Sequence, residues 1–166
     1  MTQQTTSRPI DPAVRIGHVH LKVADLERAL KFWRDILGFE VTQTRPGAAF
    51  LSAGGYHHHI ALNTWESEGG SPPARNATGL YHVAVLYPSR AALAGALKRV
   101  KAAGIELDGA SDHGVSEALY LQDFDGNGVE LYRDRPKEEW PRTPDGALSM
   151  TRQRIDLDGL LAEAAG

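Results

Sequence analysis

The residues of this sequence whose types and placement could do chemistry are its histidines, at positions 18, 20, 57, 58, 59, 82 and 113. All seven fall in or at the edges of segments that read as β-strands, and none lies in either terminal stretch. A single strand histidine is most often an ordinary core or surface residue; a concentration of this kind points to metal ligation or proton transfer. With no cysteine in the chain, disulfides, thiolate zinc sites, iron–sulfur clusters and cysteine nucleophiles are excluded, and any metal must be held by imidazole and carboxylate. One carboxylate stands out. Glu130 interrupts the apolar run Val129-Glu130-Leu131-Tyr132, where a charge without a partner is costly to bury. A metal cation would be such a partner. Two neutral imidazoles and one carboxylate on one face of a divalent ion leave positions open on the other, which suits non-haem Fe(II) activating oxygen.

The elements that must position these groups repeat along the chain. Ile16–Val23 alternates as a strand, Asp25 can cap a helix over Leu26–Leu37, and Gly38 ends it. Strands are expected at Phe39–Thr44, Ala48–Ala53 and His57–Trp65, separated by Pro46-Gly47 and Gly54-Gly55. After Glu66–Thr78, rich in Gly, Pro and Ser, the same order returns. Leu80–Tyr87 reads as a strand and Ala91–Ala103 as a helix; strands are expected near Glu106–Gly109, Ala118–Gln122 and Gly128–Arg133. The expected fold is therefore α+β, two tandem βαβββ modules curling around a common cavity. The division is an N-terminal arm over 1–14, a first module over 15–65, a linker over 66–78, a second module over 79–134, and a C-terminal wrap with a short helix (Asp156–Ala165) over 135–166.

The repeat selects among the histidines. His18 and His82 occupy equivalent places in the two first strands, so both can face the shared cavity. Alternation alone does not separate His18 from His20, but Ala84 stands where a counterpart of His20 would be. Ala61 matches Glu130, so a fourth symmetric ligand is missing. His59, two residues before Ala61, shares its face and suits acid–base work, the plain alternative being a polar edge strand over His57–His59. Tyr120, mid-strand, either gives its hydroxyl to a substrate oxygen or fills the core. His113 lies in a polar loop.

Composition bounds the rest. The 166 residues carry 18 Lys and Arg against 21 Asp and Glu, a net charge of −3, which supports neither nucleic-acid binding nor a polybasic membrane anchor. Apolar residues make up 42%, and no run approaches the roughly 18–20 needed to span a bilayer. With a polar N-terminus lacking a hydrophobic signal core, the chain reads as cytoplasmic.

The segments Gly17-His18-Val19, Asp25-Leu26-Glu27-Arg28-Ala29 and Phe32-Trp33 to Leu37-Gly38-Phe39 resemble the opening of a vicinal oxygen chelate module, the superfamily of glyoxalase I, the fosfomycin and bleomycin resistance proteins and the extradiol dioxygenases. His57–Trp65, Gly79-Leu80-Tyr81-His82, Gly109–His113 with Ser116–Leu121, and Asp125–Pro136 are similar to short, two-module catechol 2,3-dioxygenase-like proteins. The resemblance covers about residues 14–140 and, more loosely, Ile155-Asp156-Leu157. It implies an Fe(II) cofactor, with Mn(II) also accommodated, held by His18, His82 and Glu130. It further implies His59 as the distal acid–base residue, Tyr120 beside the metal-bound substrate oxygen, and His113 as a histidine that hydrogen-bonds a catechol oxygen. The implied activity is O2-dependent ring cleavage next to the diol of a catechol-type substrate, in aromatic catabolism, by a homo-oligomer. Two other readings share the fold: a glyoxalase-type isomerase or thiol-transferring resistance enzyme, and a metal-free binding protein. Ala61, His59 and Tyr120 weigh against the isomerase.

Overall fold

The computed structural model describes residues 8–164. The first half runs β1 (Val19–Lys22), α1 (Leu26–Leu30), β2 (Glu40–Arg45), β3 (Ala48–Ser52) and β4 (Ile60–Asn63). The second runs β5 (Val83–Leu86), α2 (Arg90–Ala102), β6 (Gly109–Asp112), β7 (Ser116–Gln122) and β8 (Gly128–Asp134), followed by a 3-10 turn at Lys137–Glu139 and α3 (Leu157–Ala162). Each half forms a four-stranded mixed sheet, in the orders β1-β4-β3-β2 and β5-β8-β7-β6. The chain is thus α+β and built of two βαβββ units, as its repeat implies. The first seven residues of the expected arm and the last two of the chain, including the end of the expected terminal helix, lie outside the described residues.

Register makes the repeat exact enough to compare residue by residue. In the first sheet β1 pairs in parallel with β4, Val19 opposite Ile60 and His20 opposite Ala61. In the second, β5 pairs in parallel with β8, Val83 opposite Val129 and Ala84 opposite Glu130. His20 therefore corresponds to Ala84, Ala61 to Glu130 and, one step earlier, His18 to His82. Along β8 every second side chain is buried: Val129 and Leu131 enter the core while Glu130 and Tyr132 point to the other face.

Helices are capped by the residues their sequences suggest: Asp25 accepts from Arg28 N, Ser89 from Ala92 N and Asp156 from Gly159 N. The first helix departs from expectation. After Leu30 it widens into a π-helical stretch over Lys31–Ile36, where Leu37 N reaches the Phe32 carbonyl at 3.0 Å. Within it Phe32 and Trp33 are both fully buried. Two strands also shift. His57–His59 stand before β4 rather than within it, the His57 carbonyl being taken by the Thr42 hydroxyl at 2.8 Å. Near Glu106–Gly109 the strand begins only at Gly109, which pairs with Tyr120; Ile105 and Leu107 anchor the preceding loop on the core.

One apolar core spans both halves, from Leu21, Phe32 and Trp33 to Leu93, Leu97, Leu131 and Leu160. Phe32 packs edge-on against Phe124 at 5.7 Å, and Arg99 donates to the carbonyls of Ile36 and Leu37. Gly128 is required by a close approach. A Cβ there would stand 2.0 Å from the Tyr81 carbonyl oxygen, so only glycine lets the entry to β5, and with it His82, lie this near β8.

Candidate metal centre

Glu130, His82 and Tyr120 meet on the second sheet. Glu130 projects from the outward face of β8 beside the entry to β5, and His82 Nε2 lies 2.8 Å from its Oε2. Tyr120, directly opposite Glu130 in the β7–β8 register, brings its hydroxyl to 3.5 Å from Oε1 and its ring to 5.9 Å from that of His82. Burial, and then the negative charge of Glu130, push the Tyr120 phenol above its ordinary pKa, so it stays protonated through the neutral range. His113, in the turn between β6 and β7, is half-buried rather than out on the surface, with Nε2 2.8 Å from the Tyr120 hydroxyl. Four of the six residues singled out by sequence therefore form one continuous polar group.

The other two stand on the first sheet. His18 precedes β1, its ring 4.3 Å from that of His58 and 6.4 Å from that of His57. His57 and His58 bring their Nδ1 atoms to 2.8 Å of each other. Burial, then the nearby imidazoles of His18, His57, His20 and His59, lower the pKa of His58, which favours the neutral, ligating form. His59 is half-buried under Tyr56, ring centroids 4.8 Å apart. Its Nδ1 accepts from Ala53 N at 3.3 Å and lies 3.2 Å from the Ser52 hydroxyl. The Ala53 bond makes Nδ1 an acceptor, so the neutral ring carries its hydrogen on Nε2, which is then a donor toward a ligand.

His20, the rival of His18, is already engaged. Asn63 Oδ1 is held by Trp65 N at 3.2 Å, which turns its amide nitrogen toward His20 Nε2 at 2.8 Å. Ala61, the counterpart of Glu130, is fully buried. Among the described residues no group of three or more His, Asp or Glu side chains is gathered to hold a metal ion. The donor chemistry at His82 and Glu130 nevertheless fits one: a neutral-capable imidazole and a carboxylate share a separation suited to neighbouring donors on a single divalent cation.

Sequence reasoning did not find the contacts behind these groups. The Thr151 carbonyl lies 3.0 Å from His113 Nδ1, and Ser52 and Ala53 stand behind His59. Backbone partners carry no residue-type signal.

Residues 15–131 match the model of the glyoxalase/bleomycin resistance protein/dioxygenase superfamily. The chain is 44% identical over 149 residues to a catechol-2,3-dioxygenase of Bacillus subtilis, covering 90% of this chain and 52% of that protein. It is 34% identical over 122 residues to a biphenyl-2,3-diol 1,2-dioxygenase of Rhodococcus globerulus, covering 72% of this chain and 63% of the relative. The chain thus spans between about half and under two thirds of the length of these curated relatives. Among solved structures, a glyoxalase/dioxygenase from Nostoc punctiforme superposes with a TM-score of 0.62 at 17% identity, over 80% of this chain and all of the other, a likeness of fold. With more than half its length matched by the family model, and with the paired βαβββ units in place, this chain belongs to the glyoxalase/bleomycin resistance protein/dioxygenase superfamily.

Proposed function

We propose that this chain carries the active site of an extradiol dioxygenase acting on a catechol-type diol, with a divalent metal, Fe(II) or Mn(II), held by His82, Glu130 and His18. The observation that carries the reading is the His82–Glu130 pair with Tyr120 and His113 joined to it; the identity to catechol and biphenyl-diol dioxygenases supports it. His18 is the third ligand by its equivalence to His82 in the repeat. Bound there, the metal would supply Lewis acidity and a common seat for diol and dioxygen.

The protein's own groups do the rest. Tyr120, protonated and fixed against His113, hydrogen-bonds a substrate oxygen. His59, whose neutral ring carries its hydrogen on Nε2 while Ala53 N holds Nδ1, offers that hydrogen to a substrate oxygen, and we assign it the acid–base role of the reaction. Ala61, in place of a second carboxylate, leaves room that a symmetric four-ligand cage would fill. Among the described residues no helix is long and apolar enough to cross a membrane.

The test is direct. Purified protein is loaded with Fe(II) without air, mixed with catechol and then aerated. A yellow ring-fission product with matching oxygen uptake is expected; tightly bound iron with neither colour nor oxygen uptake from catechol or biphenyl-2,3-diol would overturn the reading.

A further inference from the structure

The stretch after β8 belongs to neither βαβββ unit, yet it reaches the site. It turns back at Trp140, whose Nε1 donates to the Arg135 carbonyl at 2.8 Å, and runs as a strap past the β6–β7 turn. Asp112 and Gln153 exchange two backbone hydrogen bonds, of 2.9 and 2.8 Å. Thr151 N donates to the His113 carbonyl at 2.9 Å, and Ser149 N to the Pro141 carbonyl at 2.9 Å. Gly114, at φ +75°, makes room for this contact: a Cβ there would stand 2.6 Å from Pro141 Cγ and 2.9 Å from Thr151 Oγ1.

We propose that this strap is a positioning element of the site: through its carbonyl, Thr151 fixes which nitrogen of His113 carries the proton, and so decides whether Tyr120 meets a substrate hydroxyl as acceptor or as donor. A carbonyl oxygen can only accept, so the 3.0 Å contact requires a hydrogen on His113 Nδ1. A neutral imidazole has one N–H, and Nε2 is left with its lone pair. Tyr120, 2.8 Å from Nε2, must then donate to it. The phenol has a single hydrogen, and the 2.8 Å partner takes it in preference to Glu130 Oε1 at 3.5 Å. Glu130 keeps both oxygens free for His82 and a cation, and the Tyr120 oxygen turns its lone pairs to a hydroxyl entering the site. With the opposite tautomer His113 would donate to Tyr120, and the phenol hydrogen would be released toward Glu130 or the substrate.

The catalytic consequence rests on the dioxygenase reading above; the tautomer does not, and the experiment separates them. Imidazole 1H–15N correlation spectra of the intact protein above pH 8, with the His113 signal assigned by its loss in His113→Gln, read the tautomer directly. A protonated Nδ1 and unprotonated Nε2 are expected, and a protonated Nε2 in the wild type overturns the proposal. Gly114→Ala, which pushes the strap away, should move His113 toward the Nε2–H form. It should also lower kcat on catechol by about 10–100-fold, the usual cost of losing a partner that orients a site histidine, with metal content unchanged. Should that variant fail to fold by circular dichroism, Gln153→Pro removes one strap hydrogen bond outside His113 and reads the same way. An Nδ1–H ring that keeps its tautomer and its kcat in a folded strap variant overturns the strap's role. An Nδ1–H ring lost on strap displacement, in a protein that cleaves no diol, upholds the strap and removes the dioxygenase reading instead.

Discussion

At the residue scale, the groups at this site differ in what they are asked to hold, and substitutions should separate them. Glu130 offers a carboxylate beside His82. Glu130→Ala should therefore lose the metal on dialysis, and full iron occupancy by elemental analysis would count against the ligand set. In the proposed mechanism His59 moves only protons. His59→Ala should keep its iron yet lose on the order of 100-fold in turnover, the scale of a lost acid–base group; unchanged turnover at saturating catechol would remove it from the mechanism. Both candidates stand out in the sequence, because a carboxylate in an apolar strand and a histidine two residues before the matching Ala61 break the pattern around them. The proposal of His18 over His20 rests on the repeat. The sequence did not show that Asn63, turned by the Trp65 backbone, already engages His20. Tyr120 illustrates the limit from the other side, since a mid-strand tyrosine reads equally as core filler until the position of its hydroxyl is known.

At the element scale, two short segments do work that their length would not suggest. The turn before β8, Asp123-Phe124-Asp125-Gly126-Asn127, is stitched internally by Asp123, which accepts from Asp125 N and Asn127 N at 2.9 and 2.8 Å. It also ties the two halves together, because Asp125 Oδ1 accepts from Ala24 N at 2.8 Å and from Arg28 at 2.7 Å. A tight turn was readable from Asp-Gly-Asn-Gly; its bonds to the end of β1, about a hundred positions away in sequence, were not. Asp125→Ala leaves a backbone N–H and part of a guanidinium without their acceptor and should cost about 1–3 kcal/mol, read as a lower urea midpoint at constant m-value. The strap supplies the second case. Arg135 pairs with Asp112 and, by its hydrogen bond first and against some desolvation, holds that carboxyl below its ordinary pKa. A folded-state pKa below the unfolded value means that Asp112 contributes stability above the ordinary carboxylate range and loses it as pH falls through the lowered value. Asp112→Asn should therefore be less stable than wild type at pH 7, and the gap should close on acidification below pH 4. A gap independent of pH would show that the ion pair does not act through this titration.

At the scale of the whole molecule, the question is whether two repeated units behave as one. Each sheet is closed on one face by a helix, but the buried residues of the two do not separate into two cores. Phe32 of the first half lies against Phe124 of the second, and Arg99 of α2 holds the carbonyls that end the first helix. The βαβββ repeat was readable because aliphatic alternation and helical spacing recur in the same order, and each unit alone would leave an apolar face uncovered. How the units seat on each other was not readable, since it rests on the shared core and on particular contacts such as Phe32 on Phe124, Arg99 on two carbonyls and the Asp125 turn. The arrangement leads to a coupled prediction. His82 and Glu130 belong to the second half, while Trp33, fully buried, reports on the first. In a Trp65→Phe, Trp140→Phe background, Trp33 fluorescence and far-UV circular dichroism should give coincident urea transitions. A divalent metal at 100 times its Kd should raise both by about 2.7 kcal/mol, and the shift should vanish in Glu130→Ala. Trp33 unfolding early and indifferent to the metal would mean that the halves are independent, and that a site needing His18 from one and Glu130 from the other has no rigid frame to assemble on.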